Sequence, residues 1–331
     1  TTFATIGCED VEFKNFAVDF QVPTVIDMTV ESVEGNTATM YIPECYNYEV
    51  AGTTIKWYSD VSPYTGQRYW SISDLSGYHT QREDTVQGIK FGAGNGNAAL
   101  KGVASIEDLG NHRVKITYNS KAGEVQNGMC FQSRPTVRDH AGTFFWKSKD
   151  IKMTSLDIQF LHGFGMVGQH SENITMDDVD FEAPKESGRT TAGYADFVQM
   201  SGCKGTINIS NCTFAGPHDD PINIHGTFNT VTAISSDRRT ITVQYNHNET
   251  AGFPNFFEGD EIEFMTKGNM ITVEDSVRTV TKVDGPDGMG GNMGDGSGSL
   301  TTIKLTLNEA VPSDVQVNQH VVENITYTPA V

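Results

Sequence analysis

Apolar and polar residues alternate along four short stretches of the chain: Cys8–Phe20, Ser148–Phe160, Ser171–Phe181 and Gly205–Phe214. In each, a short Asn, Asp or Ser corner interrupts the alternation, and two more apolar positions follow. A period of two marks a strand with one face buried. The corner residues accept the left-handed backbone of a tight bend. From Ile151 to Ile174 the pattern returns after 174 − 151 = 23 residues, which suits one coil of a solenoid. A fifth copy is expected at Glu323–Thr326, which repeats Glu172–Thr175. An antiparallel sandwich would also alternate, but has no reason to repeat the corner along with the strand. The expectation is an all-β chain built on a right-handed parallel β-helix.

Two stretches break the coil pattern. The first holds Val25–Val33, Thr37–Ile42 and Arg113–Tyr118, and the second holds Val231–Ile234, Thr240–Tyr245, Asp260–Phe264 and Thr302–Leu307. Such hairpin-like runs, separated by Gly and Asn turns, suggest inserted antiparallel barrels or sandwiches. The expected organisation is a first coil over 1–20, an inserted β-barrel domain over 21–130, coils with the catalytic segment over 131–226, a second inserted β-barrel domain over 227–320, and a resumed, truncated coil over 321–331. The Gly-rich segment Gly285–Gly298 reads as a mobile loop between strands. No long helical pattern is present.

Composition narrows the partners. The formal charge is 23 − 42 = −19, which argues against nucleic acid and anionic membranes, because both demand clustered Lys and Arg. A neutral substrate fits better. No apolar run approaches the ~20 residues that span a bilayer. The five cysteines are widely spaced without a Cys-x-x-Cys pair, so neither a zinc ribbon nor a disulfide framework is indicated. Cys203 and Cys212 read as small buried apolar residues. The start at Thr1 reads as that of a processed or trimmed chain.

The candidate chemistry lies between Ala195 and Gly226. Aligning Ala195–Gly202 with Asp219–Gly226 gives an offset of 220 − 196 = 24 residues, about one coil. Asp196 then stacks on Asp220, Val198 on Ile222 and Met200 on Ile224. Parallel neighbours sit ~4.8 Å apart, so Asp196, Asp219 and Asp220 should crowd at one edge. Lys204 is the one basic residue between positions 190 and 237. Uncompensated carboxylates raise one another's proton affinity, and one protonated carboxyl beside an ionised one is the pair that glycoside hydrolysis uses. The plainer reading is a turn before Pro221. Asn223 and His225 should face outward beside the carboxylates, opposite Ile222 and Ile224 in the core, either binding sugar hydroxyls or forming an ordinary polar face. His140 (with Asp139) and His162 join the same edge by a coil offset of 163 − 140 = 23. Calcium-loop and zinc spacings are absent, so no metal or cofactor is expected. Gly92–Gly96 is a turn rather than a phosphate loop. The aromatic residues Trp57, Tyr58, Tyr64, Tyr69 and Trp70 either stack on sugar or fill the first insert.

The segment Ala195–Ile207, with Gly202-Cys203-Lys204-Gly205, followed by Asp219–Gly226, resembles glycoside hydrolase family 110, the α-1,3-galactosidases. The opening coil Val11–Asp19 and the placement of both inserts look similar too, so the resemblance covers most of the chain. It implies a β-helix with inserted barrels that continues for many coils beyond the second insert. It also implies a metal-independent inverting mechanism and exo-removal of terminal α-1,3-linked galactose, as in blood group B or linear α-galactosyl glycans. Asp196, Asp219 and Asp220 match the family's three acidic positions; we read Asp219 as general acid, with Asp196 and Asp220 holding the attacking water. The partner would be an oligosaccharide or glycoconjugate with terminal α-galactose, and the setting secreted, periplasmic or on the surface of a bacterium. A homo-oligomer is compatible with all of this. Alternatives are another β-helix carbohydrate enzyme, such as a polygalacturonase-like hydrolase or lyase, and a non-catalytic glycan-binding β-helix. The polygalacturonase motifs (Asn-Thr-Asp, Gly-His-Gly, Arg-Ile-Lys) are missing, and an acidic substrate suits the net charge badly.

Overall fold

The computed structural model describes residues 1–72, 80–84, 89–94, 102–120, 125–134, 138, 140–247, 250–251, 253–286 and 301–331. Among them every regular element is a strand, apart from the 3₁₀ turns Lys185–Ser187 and Ile325–Tyr327. Two parallel sheets position the site. The first pairs Ala4–Ile6, Thr143–Trp146, Met166–Gln169, Val198–Ser201 and Ile222–His225, in that order. The second pairs Glu9–Val18, Lys149–Ile158, Glu172–Phe181, Lys204–Ser210 and Pro329–Ala330. The chain alternates between them, each strand of the first sheet but the last leading directly into one of the second.

The repeat sets the register. Val11 pairs with Ile151, Ile151 with Ile174 and Ile174 with Ile207. The alternating residues of both sheets meet in one core, where Phe145, Met153, Ile174, Phe181, Phe197 and Met200 are fully buried. The corners adopt the left-handed backbone that their residue types favour: φ is 57° at Asp10, 54° at Asp150 and 55° at Asn173. They also stack, since the Asn173 amide donates to the Asp150 carboxylate at 2.8 Å. A short polar side chain thus relieves the bend and ties one repeat to the next.

The remaining described strands are antiparallel. Seven between Ile26 and Ser133 form one sheet, and Asn47–Ala51, Thr54–Tyr58 and Ser71–Ile72 form another. Ile55 and Trp57 of the smaller sheet share a core with Ile26, Met28 and Met40 of the larger. Of the aromatic run, Trp57 is therefore core, whereas Tyr64 and Tyr69 are exposed. Asn229–Ile234, Thr240–Tyr245, Thr302–Leu307, Arg278–Asp284, Glu261–Thr266 and His320–Asn324 close into a barrel. Most of the Gly-rich loop, with Asp287 and Asp295, lies outside the described residues.

One expected repeat is corrected. Glu323 and Asn324 belong to the barrel, pairing with Glu263 and Ile262, and Ile325 and Thr326 form a 3₁₀ turn. The chain rejoins the parallel sheet only at Pro329–Ala330, beside Gly205 and Thr206. The cause lies in the partners of Asn324. It is buried and donates to Asp260 at 2.6 Å and to the Asn255 carbonyl at 3.0 Å, whereas the similar Asn173 donates to Asp150 at the corner of the neighbouring repeat.

Candidate active site

Asp196 precedes the strand Val198–Ser201, and Asp219 and Asp220 precede Ile222–His225. Val198 pairs with Ile222 and Met200 with Ile224, so the expected offset of 24 residues holds. The approach to the strands is pinned as well. The Phe197 amide donates to the Asp220 carbonyl at 3.0 Å, and the Val198 amide to Pro221 at 3.2 Å. Below, the Met166 amide donates to the Phe197 carbonyl at 2.8 Å. Here the backbones pass so close that glycine is required. Gly165 has φ +67°, and a Cβ on it would lie 2.2 Å from the Asp196 carbonyl oxygen. Gly163, at φ +72°, would set a Cβ 1.8 Å from the His140 carbonyl oxygen.

Three carboxyls converge at this edge with unequal surroundings. Asp196 is buried, while Asp219 and Asp220 are exposed. Burial pushes the Asp196 carboxyl up to about 6, and the charges of Asp219 and Asp220 add to this; the hydrogen bond from Asn223 and the charge of Arg138 act the other way. The Asn223 amide donates to Asp196 at 3.3 Å.

Asn223 also links the acids to a groove of about 680 Å³ on the outer face of the first sheet. The ladder Phe144–Val167–Gln199–Asn223 runs along its floor. His140 and Phe164 line it on one side, and Phe228, His247 and Phe253 line it from the barrel end of the chain. His225 lies in the floor, its Nδ1 2.9 Å from the Gly226 carbonyl oxygen and its Nε2 3.4 Å from the Gln199 amide nitrogen. Apolar ring faces beside amide and imidazole groups suit a sugar, which offers both C–H faces and hydroxyls.

No protein-family model matches the chain. Its sequence is 43% identical over 335 residues to α-1,3-galactosidase A of Streptomyces avermitilis, covering 100% of this chain and 52% of that protein. It is 39% identical to α-1,3-galactosidase A of Peterkaempfera griseoplana, with 100% and 46% covered, and 31% identical to that of Bacteroides thetaiotaomicron, with 100% and 53% covered. The whole chain is similar to about half of each of these α-1,3-galactosidases. It spans about half the length of the curated relatives it matches.

Asp196, Asp219, Asp220, Asn223, His225 and His140 gather at the acidic edge or along the adjoining groove. His162 does not reach the groove. It is buried, its Nδ1 2.5 Å from the Thr24 hydroxyl and its ring 4.8 Å from that of His140 and 4.7 Å from that of Tyr194. Its part is to back His140. Asp139 lies outside the described residues. Ile224 packs against the core as expected, but Ile222 is 40% exposed, because its strand is the last of the described sheet and has a neighbour on one side only.

The absence of a basic partner near the acids is also corrected. Arg138 Nη1 stands 3.6 Å from Asp219 Oδ2. Behind it, buried Arg134 donates to the Tyr194 carbonyl at 2.9 Å, two residues before Asp196. Both arginines lie outside the segment 190–237. The repeat offset that placed His140 at this edge was the available signal, since Arg138 is only two residues before it.

Proposed function

We propose that this chain carries the catalytic centre of an exo-acting, inverting α-1,3-galactosidase, built on a right-handed parallel β-helix. In this reading the two antiparallel units are inserts over about 21–130 and 227–320 of the coil. The observation that carries the proposal is a buried carboxyl, Asp196, raised to about 6 beside two exposed carboxylates at the end of a groove. Similarity to proteins named α-1,3-galactosidase supports galactose as the sugar.

In the step we assign, the Asp219 carboxyl gives its proton to the glycosidic oxygen as the bond from that oxygen to C1 breaks. A water held by Asp196 and Asp220 forms the new C1–O bond and passes a proton to Asp196, so that C1 inverts. Asn223, His225 and His140 hold sugar hydroxyls. The reaction consumes water and a glycan with terminal α-linked galactose, and the protein would meet such glycans in the periplasm, at the surface or outside a bacterium.

The test is release of galactose from an α-1,3-galactosyl oligosaccharide across a pH series. A base must be ionised to act. Because Asp196 is raised to about 6, kcat/KM should climb tenfold per pH unit below about 6, and fall again at higher pH once Asp219 has lost the proton it must donate. If Asp196 were instead the acid, kcat/KM would fall as pH rises through the same value. Absence of galactose release at every pH would refute the functional proposal itself.

A further inference from the structure

We propose that Arg138 is a positioning residue for the acidic cluster, fixing the direction of the Asp219 carboxyl and balancing the charge that the cluster presents to Asp196. The inference rests on the reading of these carboxyls as acid and base. Three acidic groups at one edge repel one another unless a cation stands among them. Arg138 comes from the segment that precedes the coil strand Thr143–Trp146. Its guanidinium has neighbours on two sides: Nη1 meets Asp219 Oδ2 at 3.6 Å, and Cζ lies over the Phe164 ring, 5.1 Å from its centre. Phe164 lines the groove, so the contact ties the direction of Asp219 to the wall beside which the sugar would sit.

A guanidinium suits the place better than an ammonium, because it carries charge and a flat face at once. Arg134 backs the arrangement from inside, close enough for the charges of Arg138 and Asp219 both to act on it. The groups that act on Asp196 are Asp219, Asp220 and Asn223 from the next coil and Arg138 from the previous segment, with His140 on the adjoining groove wall. When Asp219 releases its proton to the leaving oxygen, the carboxylate that forms finds the Arg138 guanidinium already beside it, so the ion pair develops with the step and needs no movement.

The experiment compares wild type with Arg138→Gln and Arg138→Lys. For Arg138→Gln, kcat on the galactosyl oligosaccharide should fall on the order of a hundredfold with KM within about threefold, and the acidic limb of kcat/KM should move to higher pH. Arg138→Lys should restore the position of the limb while recovering only part of kcat, because the charge returns without the flat face. Carboxyl ¹³C NMR of the same proteins reads the titration of Asp196 directly, whether or not any sugar is cleaved. Its midpoint should rise in Arg138→Gln. A midpoint, limb and kcat all within about twofold of wild type would overturn the inference. So would a raised KM at unchanged kcat, which would make Arg138 a sugar ligand. If wild type releases no galactose, the functional reading falls, and the NMR midpoint alone decides the role of Arg138.

Discussion

Asp196→Asn should lower galactose release by roughly two to four orders of magnitude while making the folded protein more resistant to heat at pH 8. The two effects share one cause. Folding buries the Asp196 carboxyl and surrounds it with Asp219 and Asp220, which raises its proton affinity to about 6. The stability this group contributes is therefore complete below its unfolded value of about 4, and is lost as pH rises through the folded value. Above that pH the wild-type fold carries a buried negative charge beside two others, and Asn carries none. Melting curves of the two proteins should thus coincide near pH 4 and separate near pH 8, with Asn higher. Retained activity in Asp196→Asn would remove this residue from the chemistry. A lower melting point at pH 8 would mean that the carboxylate is held by partners rather than strained by neighbours.

Phe197→Ala should produce the largest loss of stability, about 3–5 kcal/mol. The ring is fully buried and stacks on Phe181 at 5.0 Å and on Phe214 at 6.4 Å. A Cβ on Gly193 would fall 2.5 Å from that ring, so Gly193 already packs against it, and the backbone on that side is closed over the aromatic stack. Phe197 is also the residue between Asp196 and the strand, and its amide holds Asp220 in register. The variant should therefore lose activity as well as stability, because the cavity frees the peptide that aligns the two acids. Urea unfolding checks the first part and kcat the second. A loss below about 1 kcal/mol would show that the stack does not anchor the site.

Much of this architecture was legible because a repeat writes its register into the chain. Val198 and Ile222, or Ile151 and Ile174, are found by counting one repeat, and corner residues such as Asp150 and Asn173 announce bends that few other residues accept. The alternating runs Thr240–Tyr245 and Thr302–Leu307 become barrel strands with those bounds. The misses come from information that is not local. Arg138 is far from Asp219 in sequence and meets it only in the folded chain. Glu323–Thr326 matches the repeat's corner over four residues, but the tertiary partners of Asn324, Asp260 and Asn255, decide its place in the barrel. The exposure of Ile222 depends on its position at the sheet edge, which alternation does not encode.

The most direct test of the account is proton NMR of the galactose released in the first moments of hydrolysis, before the anomers interconvert. Attack by a water held opposite the leaving oxygen predicts β-galactose as the first product. If α-galactose appears first, the bond is broken with retention, and the division of Asp196, Asp219 and Asp220 into one acid and a water-holding pair is wrong.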